Sequence, residues 1–261
     1  IEGNTLSETQ VGDILNGKNV VAPIRELQEV KNAIAVYDNF ASFNPFSLED
    51  LLRAHAQMMS ALVETAGQFR RSGVGVFDEN RAVHIAPPFE RVPELMANLF
   101  DWLKNADDHL LIRSCVFHYE FEFIHPFADG NGRMGRLWQS LILSKLNPVF
   151  QYLPVETLVH DNQLKYYEAI NASTANNDSG AFIDFMLGEL LNALKIHQGA
   201  PIGRVNGIVS GRVNEVFGYI KTHEGCNAGE LSAALSIPKR TLARDLKKLA
   251  DQVEFRGASK T

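Results

Sequence analysis

Between His125 and Arg136 the chain reads His125-Pro-Phe-Ala-Asp129-Gly130-Asn131-Gly132-Arg133-Met-Gly-Arg136, a run of groups suited to chemistry at phosphorus. Gly130, Asn131 and Gly132 can turn successive backbone N–H groups into one concavity. A helix starting just after them adds its own unpaired N–H groups and the positive end of its dipole. Arg133 and Arg136, three residues apart, reach the same side of a helix's first turn and can grip further phosphate oxygens. Asp129, just before the nest, supplies the single carboxylate that Mg²⁺ needs when its other ligands are waters and phosphate oxygens. His125, near neutral pKa, can serve as general base toward a hydroxyl that attacks the bound phosphate. Phe127, between these two, is expected to point into the core and fix the loop. A nucleoside triphosphate fits the layout.

These groups need elements to hold them, and the flanking pattern is helical. Ser47 followed by Asp50 reads as a capping box, after which Leu51, His55, Met58, Met59 and Leu62 keep helical spacing until Gly67. Further helices are predicted over about Val92–Asn105, with Leu95, Leu99 and Leu103 on one face, and over His109–Ile124, stopped by Pro126. Others follow at Met134–Leu146, 161–174 and 180–197. The break in this pattern is Val74-Gly-Val-Phe77 and Arg81-Ala-Val-His-Ile85 around Asp78-Glu-Asn80, closed by Pro87-Pro88, which reads as a β-hairpin. Such a hairpin must pack on the helices, and its free edge can pair with another chain.

The chain is 45% hydrophobic and 21% charged over 261 residues, ordinary values for a globular protein, and no stretch approaches the length of a membrane span. With no signal-peptide pattern at Ile1, the expected location is cytoplasmic, without membrane attachment. Cys115 and Cys226 lack metal-ligand spacing and are read as inert buried thiols. The net charge of −6 divides unevenly: residues 1–200 carry 15 Lys and Arg against 25 Asp and Glu, whereas residues 201–261 carry 10 against 6. The sign changes at Gly199-Ala-Pro-Ile-Gly203, which marks a linker over 198–207.

After the linker, Val213, Val216, Phe217 and Ile220 form one helical stripe and Gly229-Glu-Leu231 to Leu235 a second. Pro238 opens a third helix carrying Leu242, Leu246 and Leu249. Three short helices suggest helix-turn-helix, and Lys239, Arg240, Arg244, Lys247 and Lys248 give the third the charge of an element lying along DNA. DNA contact through 238–248 and protein docking are both open on this pattern.

The full segment His-x-Phe-x-Asp-Gly-Asn-Gly-Arg-x-x-Arg resembles the signature of the Fic domain. The resemblance extends over roughly 45–195 through Gln68-Phe-Arg70, Pro87-Pro88 and His118-Tyr-Glu-Phe121. It implies a mainly α fold: a Fic helical bundle with one β-hairpin flap, followed by a small winged-helix-like domain. It implies an N-terminal inhibitory segment over 1–44, the catalytic domain over 45–197 and the helix-turn-helix module over 208–261. The implied reaction is transfer of AMP from ATP to a Ser, Thr or Tyr hydroxyl of a protein. His125 would be the base, Asp129 the Mg²⁺ ligand, Gly130, Asn131 and Gly132 the anion hole, and Arg133 and Arg136 the phosphate ligands.

By the same resemblance Val83, His84, Ile85 and Ala86 in the flap would line the nucleotide and hold the target backbone, while Tyr166 and Tyr167 would border adenine. Ile1-Glu2-Gly3-Asn4 fits the end of an inhibitory motif whose Glu2 pairs with Arg136. A homodimer is also implied. Two alternatives use the same parts: removal of AMP from a modified protein at the same site, or a DNA-binding regulator whose Fic domain senses nucleotide.

Overall fold

The computed structural model describes residues 4–78, 81–153, 155–196, 209–223, 225–235 and 237–249. At 75–78, 81–85 and 209–215, and at Glu8, Tyr152, His160, Asp161, Ile196, Arg240, Arg244, Asp245, Lys247 and Lys248, only the backbone is described. The linker 198–207 lies outside the described residues.

The chain is mainly helical and forms two units, one of residues 1–5 and 23–198, the other of residues 6–22 and 199–261. In the larger unit α2 (Ile24–Asp38) is followed by α3 (Leu48–Met58), a two-stranded segment, α4 (Val92–Asn105), α5 (Leu110–Ile124) and α6 (Asn131–Ser144). Then come α7 (Val155–Asp161), α8 (Gln163–Asn176) and α9 (Gly180–Ile196). The strands β1 (Gly75–Asp78) and β2 (Arg81–Ile85) pair antiparallel, Val76 opposite His84 and Asp78 opposite Arg81, with a register shift between Val76 and Phe77.

α5 is the axis of this unit. Its apolar residues are spread round the helix rather than confined to one face, as suits a helix enclosed by others, and it packs against α4, α6 and α9. Phe117, Phe121 and Ile124 join Leu51, Met59, Met96, Leu103, Met134 and Trp138 in one core. The Trp138 indole N–H is paired too, donating to Pro45 O at 2.9 Å. Such pairing lets a large amphipathic ring be fully buried without leaving a donor unmade.

Several local expectations shift. Ser47 Oγ accepts from Asp50 N–H at 3.2 Å, but the Asp50 carboxylate turns back to Asn44 N–H at 2.7 Å, so the reciprocal box does not close. α3 ends at Met58, where the Asn32 amide of α2 donates to Met58 O and Ser60 O at 3.1 and 2.7 Å, a side-chain cap on the orphan carbonyls. The buried stripe of α4 is Val92, Met96, Leu99, Phe100 and Leu103, with Leu95 only at its edge. The helix predicted over 161–174 is α8, preceded by a short helix, α7, that the periodicity did not show, and α6 starts at Asn131 rather than Met134. Cys115 is buried and its thiol is pushed up to about 12 by desolvation, whereas Cys226 is only partly buried, a correction to the expected burial of both.

The smaller unit contains α1 (Glu8–Leu15), α10 (Val209–Thr222), α11 (Ala228–Ala234) and α12 (Lys239–Lys248). Its core is Val216, Leu231, Ile237, Leu242 and Leu249. Two capping boxes start its helices, Ser7 with Gln10 on α1 and Asn227 with Glu230 on α11. No helix among the described residues is long and apolar enough to cross a membrane.

Candidate active site

His125 sits where α5 is forced to stop. Pro126 has no N–H and excludes helical backbone at the residue before it. His125 accordingly adopts φ 50° and ψ 61°, a left-handed conformation that costs a non-glycine residue roughly 1–2 kcal/mol, while its N–H bonds to Phe121 O at 2.9 Å. Arg70 secures this end: Nε donates to His125 O at 2.8 Å and Nη2 to Ile124 O at 3.3 Å. The same guanidinium donates to Ser72 O at 2.9 Å and Pro87 O at 2.6 Å, and Arg70 N–H bonds to Pro126 O at 2.9 Å. Arg70 is buried, which lowers its pKa, but the carbonyls at the negative end of α5 are favourable company for the charge.

The loop between α5 and α6 is held from its buried side. Phe127 is fully buried as expected, and the Asn131 side chain closes a ring on its backbone, Oδ1 accepting Phe127 N–H and Nδ2 donating to Phe127 O, both at 2.9 Å. Gly130 has φ 84°, and a Cβ there would lie 2.7 Å from the Sδ of buried Met59. Glycine is thus required by conformation and by space. The first helical bond of α6 runs from Met134 N–H to Gly130 O, so by helix geometry the N–H groups of Asn131, Gly132 and Arg133 have no partner within the helix.

His55, on α3, supports the loop from below. Its ring stacks on Phe127 with centroids 3.6 Å apart. Nδ1 accepts Gly67 N–H at 2.8 Å, so Nε2 carries the proton and donates to Asp129 O at 3.1 Å. Burial pushes the pKa of His55 down to about 4, so it is neutral at pH 7.

Charges gather around Asp129. Its Oδ1 accepts Gly130 N–H at 2.6 Å and lies 3.3 Å from Arg133 Nη2, while Oδ2 lies 3.2 Å from Arg25 Nη2. Glu29, buried on α2, is 3.5 Å from Arg25 Nε and 4.0 Å from Arg133 Nη1, and it accepts from Asn4 Nδ2 at 3.0 Å. Arg136 is buried on α6, 6% exposed.

The structure therefore brings His125, Asp129, Gly130, Asn131, Gly132, Arg133 and Arg136 to one junction, but the Gly130 N–H is taken by Asp129 Oδ1, so the N–H groups without a helical partner are those of Asn131, Gly132 and Arg133 rather than a set that includes Gly130. Glu2 lies outside the described residues, as do the side chains of Val83, His84 and Ile85; Ala86 is buried. Tyr166 is 4% exposed, packs on Phe182 and donates to His118 Nε2 at 3.2 Å, so its ring belongs to the core, while Tyr167 is half-buried beside it. His55, Arg25, Glu29 and Glu122 were missed in the motif reading. A histidine on the apolar stripe of α3 and a glutamate one helical turn before His125 were the available signals.

Residues 45–143 match the Fic/DOC family. The crystal structure of a Fic family protein from Desulfovibrio desulfuricans G20 is 41% identical, with a TM-score of 0.72 over 96% of this chain and 76% of that one. The chain belongs to the Fic/DOC family. Among curated relatives, protein adenylyltransferase fic-1 of Caenorhabditis elegans is 31% identical over 66% of this chain, and protein adenylyltransferase Fic of Culex quinquefasciatus is 32% identical over 71%. This Fic chain spans only 34% and 37% of the lengths of those two proteins.

Proposed function

We propose that this Fic protein is a protein adenylyltransferase, which moves AMP from ATP to a Ser, Thr or Tyr hydroxyl of a protein. The observation that carries the reading is the junction itself: a histidine at the end of α5 and an N-terminal N–H nest with two arginines on α6, locked together by Phe127 and Asn131. The relatives' names support the same activity.

In this reading His125 takes the proton of the target hydroxyl as its oxygen forms a bond to the α-phosphorus. The bond from that phosphorus to the bridging oxygen breaks and pyrophosphate leaves. The N–H groups of Asn131, Gly132 and Arg133 receive phosphate oxygens, and Arg133 and Arg136 offset further charge, so catalysis is mainly positioning and charge stabilisation. No group of three or more His, Cys, Asp and Glu able to hold a metal occurs among the described residues. A lone, half-exposed Asp129 carboxylate beside the nest nevertheless suits Mg²⁺, which keeps several waters and takes phosphate oxygens. Bound there, Mg²⁺ would neutralise phosphate charge.

The hairpin of β1 and β2 serves in this reading as the flap that aligns the target, and Glu2 as the inhibitory group that pairs with Arg136. The test is transfer from ATP labelled at the α-phosphate into lysate proteins. Wild type labels discrete bands, Glu2→Gly labels them faster and His125→Ala labels none; transfer by His125→Ala within about twofold of wild type overturns the reading.

A further inference from the structure

Glu122 stands one helical turn before His125, and its Oε2 lies 3.9 Å from His125 Nδ1, the two side chains being 12% and 22% exposed. The other carboxylate oxygen lies 3.9 Å from His118 Nε2. That second imidazole cannot neutralise the carboxylate. Its Nδ1 is 2.6 Å from Gln139 Oε1, which only accepts, so Nδ1 carries the proton; Nε2 then presents a lone pair, filled by the Tyr166 hydroxyl at 3.2 Å. Full burial pushes the pKa of His118 down to about 4 and keeps it neutral.

Space is reserved for the carboxylate as well. A Cβ at Gly135 would lie 2.7 Å from Glu122 Oε1 and 3.1 Å from His118 Cδ2, so the glycine inside the signature lets α6 close against Glu122. Of the charged groups on the neighbouring segments, Arg70 donates to the His125 carbonyl, Asp129 and Arg133 pair with each other, and Arg136 is buried on α6; the side chain of His84 on β2 is outside the described residues.

We propose that Glu122 is the positioning residue for the general base: its carboxylate faces Nδ1 of His125, favours the tautomer protonated there, and leaves Nε2 to take the target's proton. A carboxylate behind an imidazole fixes the ring and stabilises the imidazolium that forms when the proton arrives. This assignment rests on the transferase reading for its kinetic consequence, but not for the pairing itself.

Two arms test it on the full chain, with Glu122→Gln, which keeps side-chain shape and removes the charge. In the first, His125 is titrated by NMR without substrate; its midpoint falls by roughly one unit in the variant, because the lost carboxylate favoured the charged ring. In the second, kcat falls about ten- to a hundredfold while KM for ATP stays within about twofold, since nucleotide contacts are elsewhere. Glu122→Asp, which keeps the charge but draws it back, falls between the two. An unmoved His125 midpoint, or a Glu122→Gln kcat within about twofold of wild type, overturns the proposal. If wild type transfers nothing to any target, the transferase reading fails alone and the NMR arm still decides the pair.

Discussion

His55 lies flat against Phe127, ring centroids 3.6 Å apart and planes 5° apart, while its two nitrogens join Gly67 N–H to Asp129 O. One buried side chain thus fixes both the depth of the loop and the direction of its backbone. His55→Phe should keep the stack and lose both hydrogen bonds, leaving a donor and an acceptor unmade. A loss of about 2–4 kcal/mol is expected, measured by urea unfolding. A loss below about 1 kcal/mol would mean that the two backbone groups find water instead.

Gly130 carries a second constraint, φ 84° with Met59 Sδ only 2.7 Å from where a Cβ would sit. Gly130→Ala combines left-handed strain with overpacking against a fully buried methionine, and about 2–4 kcal/mol of destabilisation should follow. Thermal unfolding with and without ATP measures it. An alanine variant that melts with wild type would show that Met59 moves aside and that strain there is negligible.

How much of this was legible beforehand depends on the kind of interaction. The junction of α5 and α6 could be read because its determinants are local: Pro126 stops one helix and a glycine-rich turn leads into the next, although α6 starts at Asn131, three residues before the point periodicity placed it. The supports were not legible, since Arg25, Glu29 and His55 act over separations of 104, 25 and 74 residues, to Asp129, Asn4 and Asp129 respectively. Periodicity records which face is buried, not which distant carbonyl a buried nitrogen will meet. The grouping of residues 6–22 with the C-terminal helices has the same origin. A short amphipathic helix such as α1 states that it needs an apolar partner without naming it.

Arg25 and Asp129 form an exposed pair, Nη2 to Oδ2 at 3.2 Å with side chains 57% and 42% exposed. On the metal-ligand reading, this guanidinium competes with Mg²⁺ for the carboxylate. Exposed pairs are worth about 0.2–1 kcal/mol, so Arg25→Ala should tighten divalent-cation binding by no more than about fivefold. Binding of Mn²⁺ with ATP, followed by electron paramagnetic resonance, measures it directly. Weaker cation binding in the variant would instead make Arg25 a support for the Asp129 loop.

Arg70 offers the strongest single test of the loop's architecture, because one guanidinium serves the carbonyls of Ser72, Pro87, Ile124 and His125. Lysine has the charge but not the planar fork, and can serve only some of them. Arg70→Lys should therefore destabilise the protein by about 1–3 kcal/mol and slow transfer, since the backbone that carries His125 loses its tether. Denaturation and initial rates, measured together, check this. A stable variant with slow transfer would assign Arg70 to positioning alone; a stable variant with wild-type transfer would remove it from the site.

His55 and His118 together should make the protein sensitive to mild acid. Both are buried and neutral, with pKa values pushed down to about 4 by desolvation, whereas in the unfolded chain each returns to about 6.5. Because the unfolded state binds the extra protons, stability is full above pH 6.5 and falls as pH drops from there toward 4. Integrated to pH 5, each histidine costs on the order of 2 kcal/mol, a large share of a typical domain's stability. Urea unfolding at pH 7 and pH 5 measures the sum, and His118→Gln isolates one part. That variant should start less stable at pH 7, having lost its bond pattern with Gln139 and Tyr166, yet lose about 2 kcal/mol less than wild type on going to pH 5. Equal losses in the two proteins would mean that His118 keeps a near-normal pKa through water or a charge that reaches it.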